Sequence, residues 1–287
     1  MSDAGADSPH LAREEREQAA QHAAPAALVI HEAVREEGEQ ELRKRPVAVW
    51  WSGLAAGMSM GFSFLCMAML GSMLPATPWR HAIASAGYTV GFVITILGRQ
   101  ELFTESTLTA FLPLLVRRDR ATFVAVLRFW AVVLVANLAG TAMFATLLSR
   151  PGLFPRPVLD TLGELAKTSV DGVFIVTMAR ALLAGWLIAL MAWMLPSARS
   201  ARFFVILLLT YVVALCSLPH VVAGSVESAY AVLTGAASMQ QYLGDFLVPT
   251  LIGNTIGGVA LVAMLNHAPL ADELKPDRSR GDSDLEP

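Results

Sequence analysis

The sequence predicts an all-α integral membrane protein whose six transmembrane helices form an inverted repeat of three plus three, with the second and fifth helices broken. Three observations carry this. Of 287 residues, 55% are hydrophobic and 16% charged, with a mean hydropathy of +0.53; an average soluble domain carries about 25% charged residues. The apolar residues gather in runs near the ~20 residues that cross ~30 Å of hydrocarbon. Two of these runs are interrupted at the same place in each half, the pattern of a site built between half-helices near the bilayer midplane.

The charges mark the domain limits. Residues 1–45 hold 16 charged side chains and residues 271–287 hold 9, leaving 20 for the 225 between. A lipid-soluble unit of residues 46–270 is therefore expected between two charged cytoplasmic tails. No apolar core falls within the first ~30 residues, so no signal peptide is expected and the mature chain is expected to begin near Met1. Residues 1 to 25 offer little apolar surface to offset the entropy of ordering. Beyond them Leu28, Val29, His31, Ala33, Val34, Gly38 and Leu42 leave a weak apolar stripe on a charged helix, expected on the membrane surface or under the bundle. His31 reads as a solvated or capping histidine rather than a ligand. A net charge of -3 gives no reason to expect nucleic acid, and Cys66 and Cys216, far apart in apolar runs, exclude a disulfide framework or zinc site.

The passages follow in order. Uninterrupted runs cover about Val47 to Leu74, Phe123 to Leu148, Val173 to Leu195 and Phe246 to Asn266. The second passage runs from Ile83 to Leu97, stops at Gly98-Arg99-Gln100-Glu101 and resumes from Leu108 to Val116. The fifth runs from Phe203 to Cys216, stops at Ser217-Leu218-Pro219-His220 and resumes from Val221 to Leu233. With both ends inside, cytoplasmic segments hold 14 Lys and Arg against 4 outside, which fixes the orientation by the retention of positive charge on the cytoplasmic side. Residues 46–149 and 171–266 would be the two repeats, each closing on a helix with an asparagine, Asn137 and Asn254. Irregular backbone at membrane depth is tolerated only against protein or a water-lined cavity, so the breaks point to a pore.

The residues at the breaks carry a resemblance. Glu101-Leu102-Phe103-Thr104 after the broken second helix, His220 in the broken fifth and Gly253-Asn254-Thr255-Ile256-Gly257-Gly258 in the last resemble the formate/nitrite transporter family. The charged N-terminal tail and Arg99-Gln100 before Leu102-Phe103-Thr104 are similar to its YfdC-like branch of the bacterial inner membrane. The resemblance implies an aquaporin-like fold, a homopentamer in membrane lipid with one pore per protomer, no cofactor, and a small anion or weak-acid substrate. It assigns Thr104 as the loop threonine, His220 as the central pore histidine and Asn254 as their support. Leu102 and Phe103 flank the threonine, Tyr88 and Phe92 narrow one end of the pore, and Val213 stands where a constricting aromatic is frequent.

Several positions depart from the family pattern. Gly185, in Ala184-Gly185-Trp186-Leu187, stands where the family has asparagine; Ser169 stands where it has an outer-mouth lysine, with Lys167 two residues away as a substitute; and Gly224 replaces a frequent asparagine. Arg99 and Glu105 add charge beside Thr104, and with Glu101 they could bind an anion, gate the loop or tie it down. Arg180 lies deeper in its passage and is expected to pair with Glu227 or Asp171.

The histidine also has a physical argument of its own. Carrying a bare monovalent anion through an apolar constriction costs several kcal/mol, whereas protonating a weak acid of pKa ~4 at pH 7 costs about 4 kcal/mol. Histidine exchanges a proton near neutrality. The expected function is a channel or proton-coupled transporter for small monovalent anions or their acids, such as formate, nitrite, acetate or hydrosulfide. A pore for neutral solutes lacks the paired Asn-Pro-Ala caps, and an intramembrane enzyme lacks any Gly-x-Ser-x-Gly or His-Glu-x-x-His. A non-conducting scaffold using the charged tail is the remaining alternative.

Overall fold

The computed structural model describes residues 10, 12–14, 16 and 25–270. The expectations for residues 1 to 25 and for the tail 271–287 lie largely outside the described residues. The rest is helical. Helix α1 (Ala27–Arg43) buries His31, Val34 and Gly38, spaced along one face, and ends where Lys44 turns extended. Pro46, whose fixed φ and missing N–H suit a first helical position, opens α2 (Pro46–Met73). α1 packs under the bundle, with Val34 against Leu108, Leu112 and Ala189.

The long apolar runs become α2, α3 (Arg80–Leu97), α6 (Arg120–Leu148), α8 (Phe174–Ala198) and α11 (Met239–His267, with widened turns over Tyr242–Leu247 and Gly257–Met264). A turn at Arg199–Ala201 joins α8 to α9 (Arg202–Leu215), so that Phe174–Leu215 forms one apolar stretch of 42 residues. Among the described residues, five segments are long and apolar enough to cross a bilayer. Between α3 and α6 the chain leaves the helix over residues 98–102, then forms the short α4 (Phe103–Thr109) and α5 (Phe111–Arg117). After α9 it leaves the helix again over residues 216–222 before α10 (Ala223–Leu233).

One element was not expected. Residues 156–170, which the charge count treats as an outside loop, form the amphipathic helix α7 (Arg156–Val170) with Pro157 in its first turn. Its buried Val158, Leu162, Ala166 and Val170, at i, i+4, i+8 and i+12, join Phe64, Phe144 and Tyr230 in one core. The reading of His31 as solvated also needs correction. The ring is fully buried, with Nε2 3.0 Å from His267 Nδ1 and its edge on Trp193, because α1 lies across the C-terminal end of α11.

Candidate functional site

Each break is held by an asparagine from another helix. Asn137 of α6 accepts the Phe103 N–H through Oδ1 (2.9 Å) and donates from Nδ2 to the carbonyls of Glu101 (2.9 Å) and Gly53 (2.8 Å). Asn254 of α11 accepts the Val221 N–H (2.8 Å) and donates to the carbonyls of Pro219 (3.1 Å) and Ala181 (2.7 Å). An amide has the acceptor and two N–H donors this needs. Both asparagines are fully buried, so each replaces water the backbone cannot reach. Each also sits against a glycine: a Cβ on Gly57 would overlap the Asn137 backbone, and one on Gly185 the Asn254 backbone.

The helices entering the breaks also end alike. Arg99 (φ 52°) and Ser217 (φ 49°) are left-handed. The Gln100 N–H reaches back to the Thr95 carbonyl and the Leu218 N–H to the Val213 carbonyl, both at 2.9 Å. This wrap closes the orphan carbonyls of a helix C-terminus and turns the chain inward.

The two breaks bring Thr104 and His220 together, with Oγ1 2.7 Å from Nε2 and both residues buried. Phe92 packs its ring edge-to-face on the imidazole at 5.0 Å and touches Tyr88 at 5.2 Å. His220 Nδ1 accepts the Ala223 N–H at 3.1 Å, at the start of α10. A nitrogen that accepts carries no proton, so the assigned form is the neutral ring with its proton on Nε2, donated to Thr104 Oγ1. The threonine hydroxyl hydrogen is then free to point at a ligand. Protonating Nδ1 would break the Ala223 bond, an obstacle to the ring's exchanging protons itself.

Two cavities approach this pair from opposite ends. One, of about 470 Å³, is lined by Glu37 and Glu41 of α1 and Lys44 just after it, by Arg99, Glu101 and Leu102 of the first break and Glu105 of α4, and by Ala192 and Leu195. The other, of about 600 Å³, is lined by Tyr88, Val213, His220 and Glu227, and by Thr177 and Arg180. Arg180 and Ala192 are twelve residues apart on α8, about 18 Å along its axis. Thr104 and Phe92 are buried between the cavities and line neither. Phe103 is also buried away from both, edge-on to Trp130.

The charged loop residues are mostly tied down. Glu101 meets Lys44 Nζ at 2.5 Å and Arg99 meets Glu37 at 2.8 Å, so the first break is fastened to α1, while Glu105 has no hydrogen-bond or ion-pair partner among the described residues. Arg180 does not pair with Glu227 or Asp171. It donates to the carbonyls of Cys216 and Ser217 at 3.0 and 2.9 Å, finishing the end of α9. Lys167 is exposed on α7 and does not line the second cavity, although its neighbours Glu164, Leu165, Thr168 and Ser169 do. Glu227 and the α1 carboxylates are cavity-lining groups that the sequence reading did not assign; a carboxylate inside an apolar passage, as at Glu227, was the available signal.

The profile of the formate/nitrite transporter family matches residues 28–268. The chain belongs to the formate/nitrite transporter family. It is thus a channel or transporter for small monovalent anions rather than an enzyme, and a multi-pass inner-membrane protein. The inner membrane protein YfdC of Escherichia coli (strain K12) is 36% identical over 252 residues, covering 88% of this chain and 81% of the relative. An FNT family ion channel shares the fold with a TM-score of 0.73 at 20% identity, over 84% of this chain and 99% of that one. A pentameric formate channel with formate bound shares it with a TM-score of 0.67 at 18% identity, over 80% and 98%. In this formate/nitrite transporter family member, the departures have local causes. Gly185 admits the Asn254 backbone, Gly224 sits where a Cβ would overlap the Phe246 ring, and Ser169 bonds Ser228 across α7 and α10 at 3.1 Å.

Proposed function

We propose that each protomer passes small monovalent anions as their weak acids, with proton coupling, through a pore whose narrowest part is formed by Thr104, His220 and Phe92. The observation that carries this is the 2.7 Å contact of Thr104 and His220, buried between two cavities. His220, held neutral by Ala223, orients the Thr104 hydroxyl as a donor to a carboxyl or nitrite oxygen, and Tyr88, Val213 and Leu102 line the approaches. An apolar wall with one hydroxyl donor suits a neutral acid, whereas a bare anion would lose most of its hydration there. Arg99, Glu101 and Glu105 shape the inner approach.

The supporting architecture is a membrane unit of residues 46–270 with six passages in a three-plus-three inverted repeat, broken at residues 98–102 and 216–222. The matched hydrogen bonds of Asn137 and Asn254 favour it. Both termini are cytoplasmic, on the side rich in Lys and Arg, and five protomers assemble in lipid. Purified protein in proteoliposomes, given a panel of formate, nitrite, acetate and hydrosulfide, should take up one or more faster when the outside is acidic. Equal fluxes with and without the pH gradient would reject proton coupling, and flux of neutral polyols alone would favour a neutral-solute pore.

A further inference from the structure

We propose that Glu227 is the proton-exchanging group of the second cavity, handing its carboxyl proton to the incoming anion so that the substrate meets Thr104 and His220 as the neutral acid; this rests on the weak-acid reading above. His220, Gly224 and Glu227 line that cavity at i, i+4 and i+7, which puts Glu227 little more than one turn into α10 and seven residues beyond His220, about 10 Å at the helical rise. Glu227 is half-buried and has no hydrogen-bond or ion-pair partner among the described residues. An ionisable side chain at membrane depth without a structural partner marks a pathway group.

The other titratable or charged groups on this cavity are His81 and Tyr88 of α3, Glu164 of α7, Asp171, Arg180 of α8 and His220. α2 and α11 contribute only Met67 and Phe246, and α6 contributes no lining residue. His81 and Arg180 are held by the carbonyls that end α9, and Glu164 faces Arg80 at 3.4 Å. His220 has both ring nitrogens engaged. A tyrosine hydroxyl ionises near pH 10, too high to exchange near neutrality, and Asp171 is exposed at the rim. Glu227 is the enclosed group left to act.

The step balances without a further reactant. The anion takes the carboxyl proton, giving the neutral acid and a Glu227 carboxylate; the carboxylate regains a proton from hydronium in the cavity, releasing water. After crossing, the acid gives its proton to water on the far side, so one proton accompanies each anion.

The test is uptake of radiolabelled formate into proteoliposomes from pH 4.5 to 7.5, above that of protein-free vesicles. For an acid of pKa ~4, about one molecule in a thousand is neutral in bulk water at pH 7, so delivery of the proton limits there and not at pH 4.5. Glu227→Gln should lower uptake roughly tenfold or more at pH 7 and by less than about twofold at pH 4.5, with Glu227→Asp restoring much of the pH 7 rate. Loss of the same factor at every pH in a correctly assembled Glu227→Gln protein would overturn the assignment in favour of a packing role, as would unchanged uptake at pH 7. A parent protein that carries none of formate, nitrite, acetate and hydrosulfide under any gradient would instead overturn the weak-acid reading above, and Glu227's role with it.

Discussion

In the proposed constriction, a backbone bond sets the chemistry of His220. Because the Ala223 amide occupies Nδ1, the ring holds its proton on Nε2 and works as a fixed donor to Thr104. His220→Asn, which keeps a polar side chain, should lower weak-acid flux about tenfold while leaving the shape of the pH profile unchanged; a profile that flattens would return proton exchange to the imidazole. Thr104→Val removes the hydroxyl that the proposed mechanism aims at the substrate and should act in the same direction, read in the same uptake assay. Asn254 is a structural counterpart. Replacing it with Ala strands the Val221 amide and the Ala181 and Pro219 carbonyls, each a buried group costing ~1–3 kcal/mol when unmade. Asn254→Ala should therefore destabilise the protein by about 3–5 kcal/mol, seen as a lowered thermal midpoint in detergent. The polar residues at the breaks were legible because polarity in a hydrophobic passage stands out. His31 with His267 was not, since nothing local signals a contact across 236 positions.

At the scale of elements, hydropathy located the first five passages to within about three residues at their outer ends, began the last at Phe246 where α11 starts at Met239, and missed α7. A 15-residue amphipathic helix is too short and too polar to register as a span, yet its i, i+4 apolar spacing was present in Val158, Leu162 and Ala166. The docking of α1 was likewise only half visible: its weak stripe showed a packing face, but not that Glu41 would accept the Thr109 hydroxyl at 2.6 Å and Arg99 and Glu101 would pair with α1 and the residue that follows it. Burial, and then the nearby Glu101, push the Glu41 carboxyl well above its ordinary value of 4.5. The docked state thus binds this proton more tightly than the undocked one, so its contribution to docking is full below about pH 4.5 and fades as pH rises through the raised value. Hydrogen exchange of residues 27–43, corrected for the intrinsic rate, should show weaker protection at pH 8 than at pH 5. Glu41→Gln should remove most of that difference, and stronger protection at pH 8 in the parent would contradict the sign.

At the scale of the molecule, the surface between the two ends carries large exposed apolar side chains, among them Phe62, Leu127, Val135, Leu183, Phe204 and Leu208, suited to lipid or to neighbouring protomers. Composition foretold such a belt, but could not say how it divides between the two, because lipid tails and a neighbour's side chains are equally apolar. The proposed pore does not depend on that division. Both cavities, the Thr104 and His220 contact and the two asparagine braces are all built from one chain, so assembly is not needed to complete a pathway. Native mass spectrometry in mild detergent should give a pentamer, five times the 30.8 kDa protomer. Pentamers assembled from mixtures of parent and Thr104→Val chains should then show weak-acid flux falling in a straight line with the variant fraction, since each parent protomer conducts independently. A curve falling much faster than the parent fraction, as when one defective chain silences five, would mean that the conducting path runs between protomers, and that the buried threonine and histidine brace the fold instead of lining the route.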